Sequence, residues 1–279
     1  MKKILVAIDG SRYSETALDY ALELNKREES LIIGIFIQDM SYVYMLANYG
    51  IEPQPYEYSY DIIQKVTDED EKEIYGFIRA FNEKCRKAGV SFKVHLDRGV
   101  PAHEIVKESM FADLVVIGYQ TFFGNISSAP DEGLLRDILQ DAKCPVIVLP
   151  EAKKEVHHVI FAYDGKESSV FAIKQFSYLF TDLYRSGKFS FLTVLKDKDE
   201  KVKHEGLIRE YLQAHFPSVQ FLLRHGNPDE EISKYVAECE DCMLVMGAFG
   251  RSTLSRLFAS STAKSILHAK AIPAFIAHM

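Results

Sequence analysis

An internal repeat limits what this chain can fold into more than any other feature. Residues 4–10, Ile-Leu-Val-Ala-Ile-Asp-Gly, return at 159–165 as Val-Ile-Phe-Ala-Tyr-Asp-Gly, and Ala17-Leu18 falls opposite Ala172-Ile173 in the same register. The stretch from Arg98-Gly99 through Pro101 to Ile105 has its counterpart from His225-Gly226 through Pro228 to Ile232. Val115–Gly118 then matches Leu244–Gly247, and Pro145–Val148 matches Pro273–Ile276. Matches that keep one order along both halves mark a repeated architecture. The copies read as domains 1–150 and 155–279, joined by the polar stretch Pro150–Glu155.

Within a copy, short apolar runs alternate with helical stretches. The runs at 4–8, 31–37, 113–117 and 145–149 are rich in Val and Ile and apolar at successive positions, as in strands buried on both faces. Ala17, Leu18, Ala21, Leu22 and Leu24 have helical spacing, and Pro101 and Pro228 suit a first helical turn. Strand–helix–strand alternation implies parallel strands with right-handed crossovers. The expected fold class is α/β: two tandem open, doubly wound parallel sheets of about five strands each.

The copies differ by an insertion at about 39–66 in the first, which holds Tyr42, Tyr44, Tyr49, Tyr56, Tyr58 and Tyr60 with Pro53 and Pro55. It reads either as a hairpin or loop covering a domain face, or as a lid or interaction arm, because tyrosine buries well and keeps a polar tip.

Several function classes fall away on composition. A net charge of −7 gives no basic field for a nucleic-acid backbone. Continuous apolar stretches of about 18 residues are missing, and Asp9 cuts the N-terminal apolar run short of a signal peptide. Four cysteines in 279 residues do not make a disulfide scaffold. The expectation is a cytoplasmic protein with neither nucleic-acid nor membrane partners.

In open α/β sheets, ligands bind at the carboxyl ends of the strands where the strand order reverses. In the second copy Asp164 ends the first strand. After the fourth come Gly247 and Gly250, which let backbone amides approach a ligand, and then Ser260, Ser261 and Thr262 at the start of the last helix. Helix N-termini favour anions. Residues 247–264 carry Arg251, Arg256 and Lys264 and no acid, a balance that suits phosphate.

With these residues in view, the second copy resembles a universal stress protein domain. Nucleotide-binding members of that family show Gly, two residues, Gly, nine residues, Gly, then Ser or Thr. Gly247 and Gly250 match, nine residues follow, Ser260 stands at the third glycine position and Ser261 at the Ser/Thr position. The resemblance implies an adenine nucleotide alpha hydrolase-like fold. It implies a triphosphate and ribose at the motif positions, with Asp164 at the nucleoside end. ATP or AMP is the implied ligand, with Mg2+ accompanying ATP. It further implies ligand-linked regulation of an unknown protein partner, or, as the alternative, a nucleotide-free scaffold. Family members pair their last strands, here Val146–Leu149 and Phe275–Ala277, so the tandem chain is expected to form an intramolecular pseudo-dimer, with a homodimer left open.

The first copy departs further. Gly118 matches, but Thr121 replaces the second glycine, and Asp131-Glu132 fall where phosphate would sit. Two carboxylates beside a triphosphate cost about 1 kcal/mol or more each, so this site reads as degenerate. Asp9 and Gly10 remain there as a strand end.

Other signals lack context. Cys239-Glu240-Asp241-Cys242 follows a helix and leads into a strand, the reverse of a thioredoxin-type pair, and Cys242 reads as core. His157-His158 begin a strand at a position expected to be exposed. The sequence holds no zinc-binding H-E-x-x-H and no G-x-S-x-G elbow. No catalytic residue is assigned; slow ATP hydrolysis is the most the chain is expected to perform.

Overall fold

The computed structural model describes residues 2–9, 15–40, 57–118, 132–150, 155–180, 187–239, 241–247 and 272–277. The chain divides into two compact units, Met1–Ile138 and Leu139–Met279.

In the first unit, β1 (Lys2–Asp9), β2 (Ser30–Asp39), β3 (Ser91–Gly99) and β4 (Leu114–Gly118) form parallel pairs in the order β3-β2-β1-β4. Helices α1 (Glu15–Arg27), α2 (Glu57–Ala88) and α3 (Pro101–Ser109) connect them, and α4 (Glu132–Asp141) crosses into the second unit. Helix α1 buries Ala17, Leu18, Ala21, Leu22 and Leu24, the stripe its spacing foretold, with Glu15 in its first turn and Lys26 and Arg27 in its last. Helix α2 packs on the sheet through Phe81, whose ring meets Phe36 of β2 edge-on at 5.7 Å. The Lys84–Asp19 ion pair at 2.7 Å joins it to α1.

Helix α2 is 32 residues long and starts within the Tyr-rich insertion, so residues 57–66 are helix rather than loop. The physical reason is the absence of a breaker: after Pro55 no proline occurs until Pro101, and Gly76 is the one glycine before Gly89. Residues 41–56, with Tyr42, Tyr44, Tyr49, Tyr56, Pro53 and Pro55, lie outside the described residues.

The second unit holds β5 (Val146–Leu149), β6 (His158–Tyr163), β7 (Lys188–Leu195), β8 (Gln220–His225), β9 (Cys242–Gly247) and β10 (Ala274–Ala277). Helices α5 (Glu167–Phe180), α6 (Glu205–His215) and α7 (Pro228–Ala237) lie among them. The order is β8-β7-β6-β9-β10-β5, parallel as far as β10. The last strands of the two sequence repeats do pair: β5 runs antiparallel to β10, with Phe275 opposite Ile147. The core is aromatic. Phe161 stacks on Phe189 and meets Phe176 edge-on, while Phe275 takes Phe176 and Phe180 edge-on. Both prolines sit in a first helical turn, as their positions implied; before Pro228, Asn227 caps α7 by accepting the Asp229 amide at 2.9 Å.

Candidate functional site

Strand β6 is the pivot of the second unit. From it the chain passes through α5 to β7 on one side, while β9 lies on the other, so the strand order reverses between β6 and β9. The crevice at the carboxyl ends of these two strands is where an open sheet of this kind takes a ligand. Asp164 follows the last residue of β6 and Gly247 is the last residue of β9. The structure therefore brings to one edge two residues that stand 83 positions apart in sequence.

Asp164 is half-buried and engaged locally. Its Oδ1 accepts the Lys166 amide at 3.0 Å, and its Oδ2 pairs with Lys166 Nζ at 3.1 Å. This turn delivers the chain into α5, an Asx-type cap that Asp forms readily. Gly165 supplies the left-handed backbone the turn needs, with φ of 77°. A Cβ there would also lie 2.6 Å from Lys203 Cβ, so the Lys203 side chain rests on the glycine. Tyr163 Oη donates to the Lys203 carbonyl at 2.8 Å, tying the same turn to the end of β6. Burial raises the Tyr163 phenol above its ordinary value, and the Asp164 charge adds to the shift. His204, next in sequence, has φ of 52°, the one positive value among described non-glycine residues. Such strained positions gather at functional edges.

Gly247 has a packing reason to be glycine. A Cβ on it would lie 2.5 Å from the Ser168 carbonyl carbon and 2.7 Å from the Ser169 amide nitrogen. The first turn of α5 thus presses directly on the end of β9. Ser169 is fully buried at that contact, its Oγ donating to the Lys166 carbonyl at 2.8 Å. The glycine also keeps the N-terminus of α5 against the crevice, where helix amides favour an anion.

One residue here escaped sequence reasoning. Thr193 lies beside Tyr163 in the parallel ladder, and its buried Oγ1 has no hydrogen-bond partner among the described residues. Nothing in its local sequence signals this, because a Thr in an apolar strand reads as an ordinary β-former. A buried hydroxyl without a partner is a costly exception.

Gly250, Arg251, Ser260, Ser261 and Thr262 lie outside the described residues. In the first unit, Gly118 ends β4 as expected from the repeat, while Gly10, Thr121 and Asp131 are likewise outside them. Among the described residues, no group of three or more His, Cys, Asp or Glu could hold a metal ion. No described helix is long and apolar enough to cross a membrane. His157, just before β6, is exposed, but His158, which opens the strand, is half-buried, contrary to the exposed position its sequence suggested. The reason is tertiary: Ser190 and Tyr235 close over its ring. Cys242 is core, as its place in a buried strand implied.

The model of the Universal stress protein family matches residues 1–150, the first repeat, and residues 182–278, most of the second. The chain belongs to the universal stress protein family. A universal stress protein of Methanocaldococcus jannaschii is 29% identical over 156 residues, spanning 55% of this chain and 85% of that protein. A relative in Synechocystis is 21% identical over 296 residues, and the match covers 98% of both chains. The crystal structure of a universal stress protein from Archaeoglobus fulgidus superposes with a TM-score of 0.71 at 19% identity, covering 99% of this chain and 98% of that one. At that identity the likeness concerns the fold. As a universal stress protein, this chain is a stress-response protein, built as a tandem of two family repeats.

Proposed function

We propose that this universal stress protein binds an adenine nucleotide, ATP or AMP, at the carboxyl edge of its second repeat and acts as a ligand-linked regulator of a protein partner. The observation that carries the reading is that Asp164 and Gly247 stand at the carboxyl ends of the neighbouring strands β6 and β9, where the strand order reverses. In sequence, the acid-free segment continuing from Gly247 supplies Gly250, Arg251, Ser260, Ser261 and Thr262 for the phosphates and ribose. Mg2+ would arrive with the ATP phosphates. Nucleotide occupancy stabilises the arrangement that binds it, and a partner reads the shifted population.

Titration calorimetry of nucleotide-stripped protein with MgATP, beside Gly250→Asp, tests this. Saturable binding near one per chain that the variant loses supports the site. No heat at millimolar ATP from a folded protein overturns it.

A second reading has an observation of its own. Asp164 is occupied by Lys166, and Gly247 is accounted for by the approach of α5. Both residues have structural work without a nucleotide, which favours a nucleotide-free scaffold that binds a partner. The same calorimetric result separates the two.

A further inference from the structure

At the opposite, amino-terminal edge of the second unit's strands lies a separate cluster of reactive side chains. His158 opens β6 directly across the parallel ladder from Cys242. Its Nε2 is 2.8 Å from Ser190 Oγ on β7, and its Nδ1 is 3.4 Å from Cys239 Sγ. The ring meets Tyr235 edge-on at 6.4 Å, and Tyr235 Oη is 3.2 Å from Ser190 Oγ. The tautomer with its proton on Nε2 satisfies this network: Nε2–H donates to the Ser190 hydroxyl, and Nδ1 offers a lone pair to the Cys239 thiol. Burial holds the imidazole below its ordinary value; the Asp241 carboxylate opposes this and the Lys188 ammonium reinforces it. At neutral pH the ring is therefore neutral and able to accept a proton.

None of the four cysteines is in a disulfide. Cys85 and Cys242 are buried, and burial pushes Cys85 up to about 11, far from a useful thiolate. The Cys242 thiol donates to the Cys239 carbonyl at 3.7 Å. Cys239 is partly exposed and also touches an imidazole nitrogen, the pairing that makes a thiol nucleophilic.

We propose that Cys239 is a thiol–disulfide exchange site for low-molecular-mass disulfides, with His158 as its proton acceptor. The Cys239 S–H proton passes to His158 Nδ1, and the thiolate attacks one sulfur of R–S–S–R. A Cys239–S–S–R bond forms, the original S–S bond breaks, and the leaving thiolate takes a proton back from the imidazolium. Cys239 is oxidised to the mixed disulfide and one R–S group is reduced to thiol, so no further oxidant enters. Among the described residues, the charged and titratable groups near the pair include Asp241, whose Oδ1 also accepts from the Cys239 thiol at 3.8 Å, Lys188 of β7, and Tyr235 and Glu238 at the end of α7. Arg224 of β8 lies over the Tyr235 ring and pairs with Glu238 at 3.8 Å. The assignment is independent of nucleotide binding at the other edge.

The test uses the full chain carrying Cys144→Ser, which removes the other partly exposed thiol, and an aromatic disulfide (dithiobis-nitrobenzoate) as probe. The expected result at about pH 7 is one fast thiol per chain, roughly tenfold faster than free glutathione. Cys239→Ser abolishes the fast phase, and His158→Gln slows it roughly tenfold. A second measurement needs no change at His158: as the pH is lowered from about 8 to 6 the rate falls less steeply than the roughly tenfold per unit of an unassisted thiol. A rate no faster than glutathione, a fast phase that survives Cys239→Ser, or an unassisted pH slope overturns the proposal.

Discussion

A Cβ placed on Gly247 would stand 2.5 Å from the carbonyl carbon of Ser168, closer than any real side chain comes to backbone. The end of β9 and the first turn of α5 are therefore in direct backbone contact, and the crevice edge depends on that contact. Gly247→Ala must push α5 away, as overpacking of a dense contact does, at a cost of about 1–3 kcal/mol. Thermal unfolding is expected to show a lower midpoint. An unchanged midpoint would mean that the helix shifts freely.

Thr193 gives a prediction of opposite sign. Its hydroxyl is buried without a partner among the described residues, so Thr193→Val removes a desolvated polar atom while keeping the branched shape. Ligand-free protein is expected to gain about 1 kcal/mol, read from denaturant unfolding. A loss of stability would show that the hydroxyl is satisfied in the free protein.

Phe275 lies fully buried between the edge-on rings of Phe176 and Phe180. Phe275→Ala opens a cavity in this aromatic core and removes both ring contacts, an expected cost of about 3–5 kcal/mol. A loss below about 1 kcal/mol would mean that the surrounding rings collapse into the space.

His158 sets a pH dependence. Its folded-state value lies below the ordinary value near 6.5, chiefly through burial. Below that value the unfolded chain binds the proton first, so the contribution is fully present above about pH 6.5 and is lost as pH falls toward the folded value. The unfolding midpoint is expected to drop on acidification across this window, and less so in His158→Gln. An identical profile for both proteins would remove His158 as the cause.

The fold was largely legible before any coordinate. Val115–Gly118 and Leu244–Gly247 are read as equivalent strands because parallel strands buried on both faces must be apolar at every position. The start of α2 was not legible, since tyrosines and prolines just before Glu57 look alike in a loop and in a helix approach. Asp164 and Gly247 were legible as site candidates from strand ends alone, whereas Thr193 was not, because an unpartnered hydroxyl is a property of its surroundings.

The sequence by itself determined the tandem repeat, the strand–helix alternation and the family. These follow from local periodicity and from self-similarity, which the chain carries in one dimension. Only the tertiary structure decided that Gly247 is glycine because Ser168 crosses it, that Asp164 is already held by Lys166, and that Cys239 meets His158 across 81 residues. Those relations depend on which strand ends and helix turns the sheet order brings within a few ångströms of one another. No spacing along the chain records that distance.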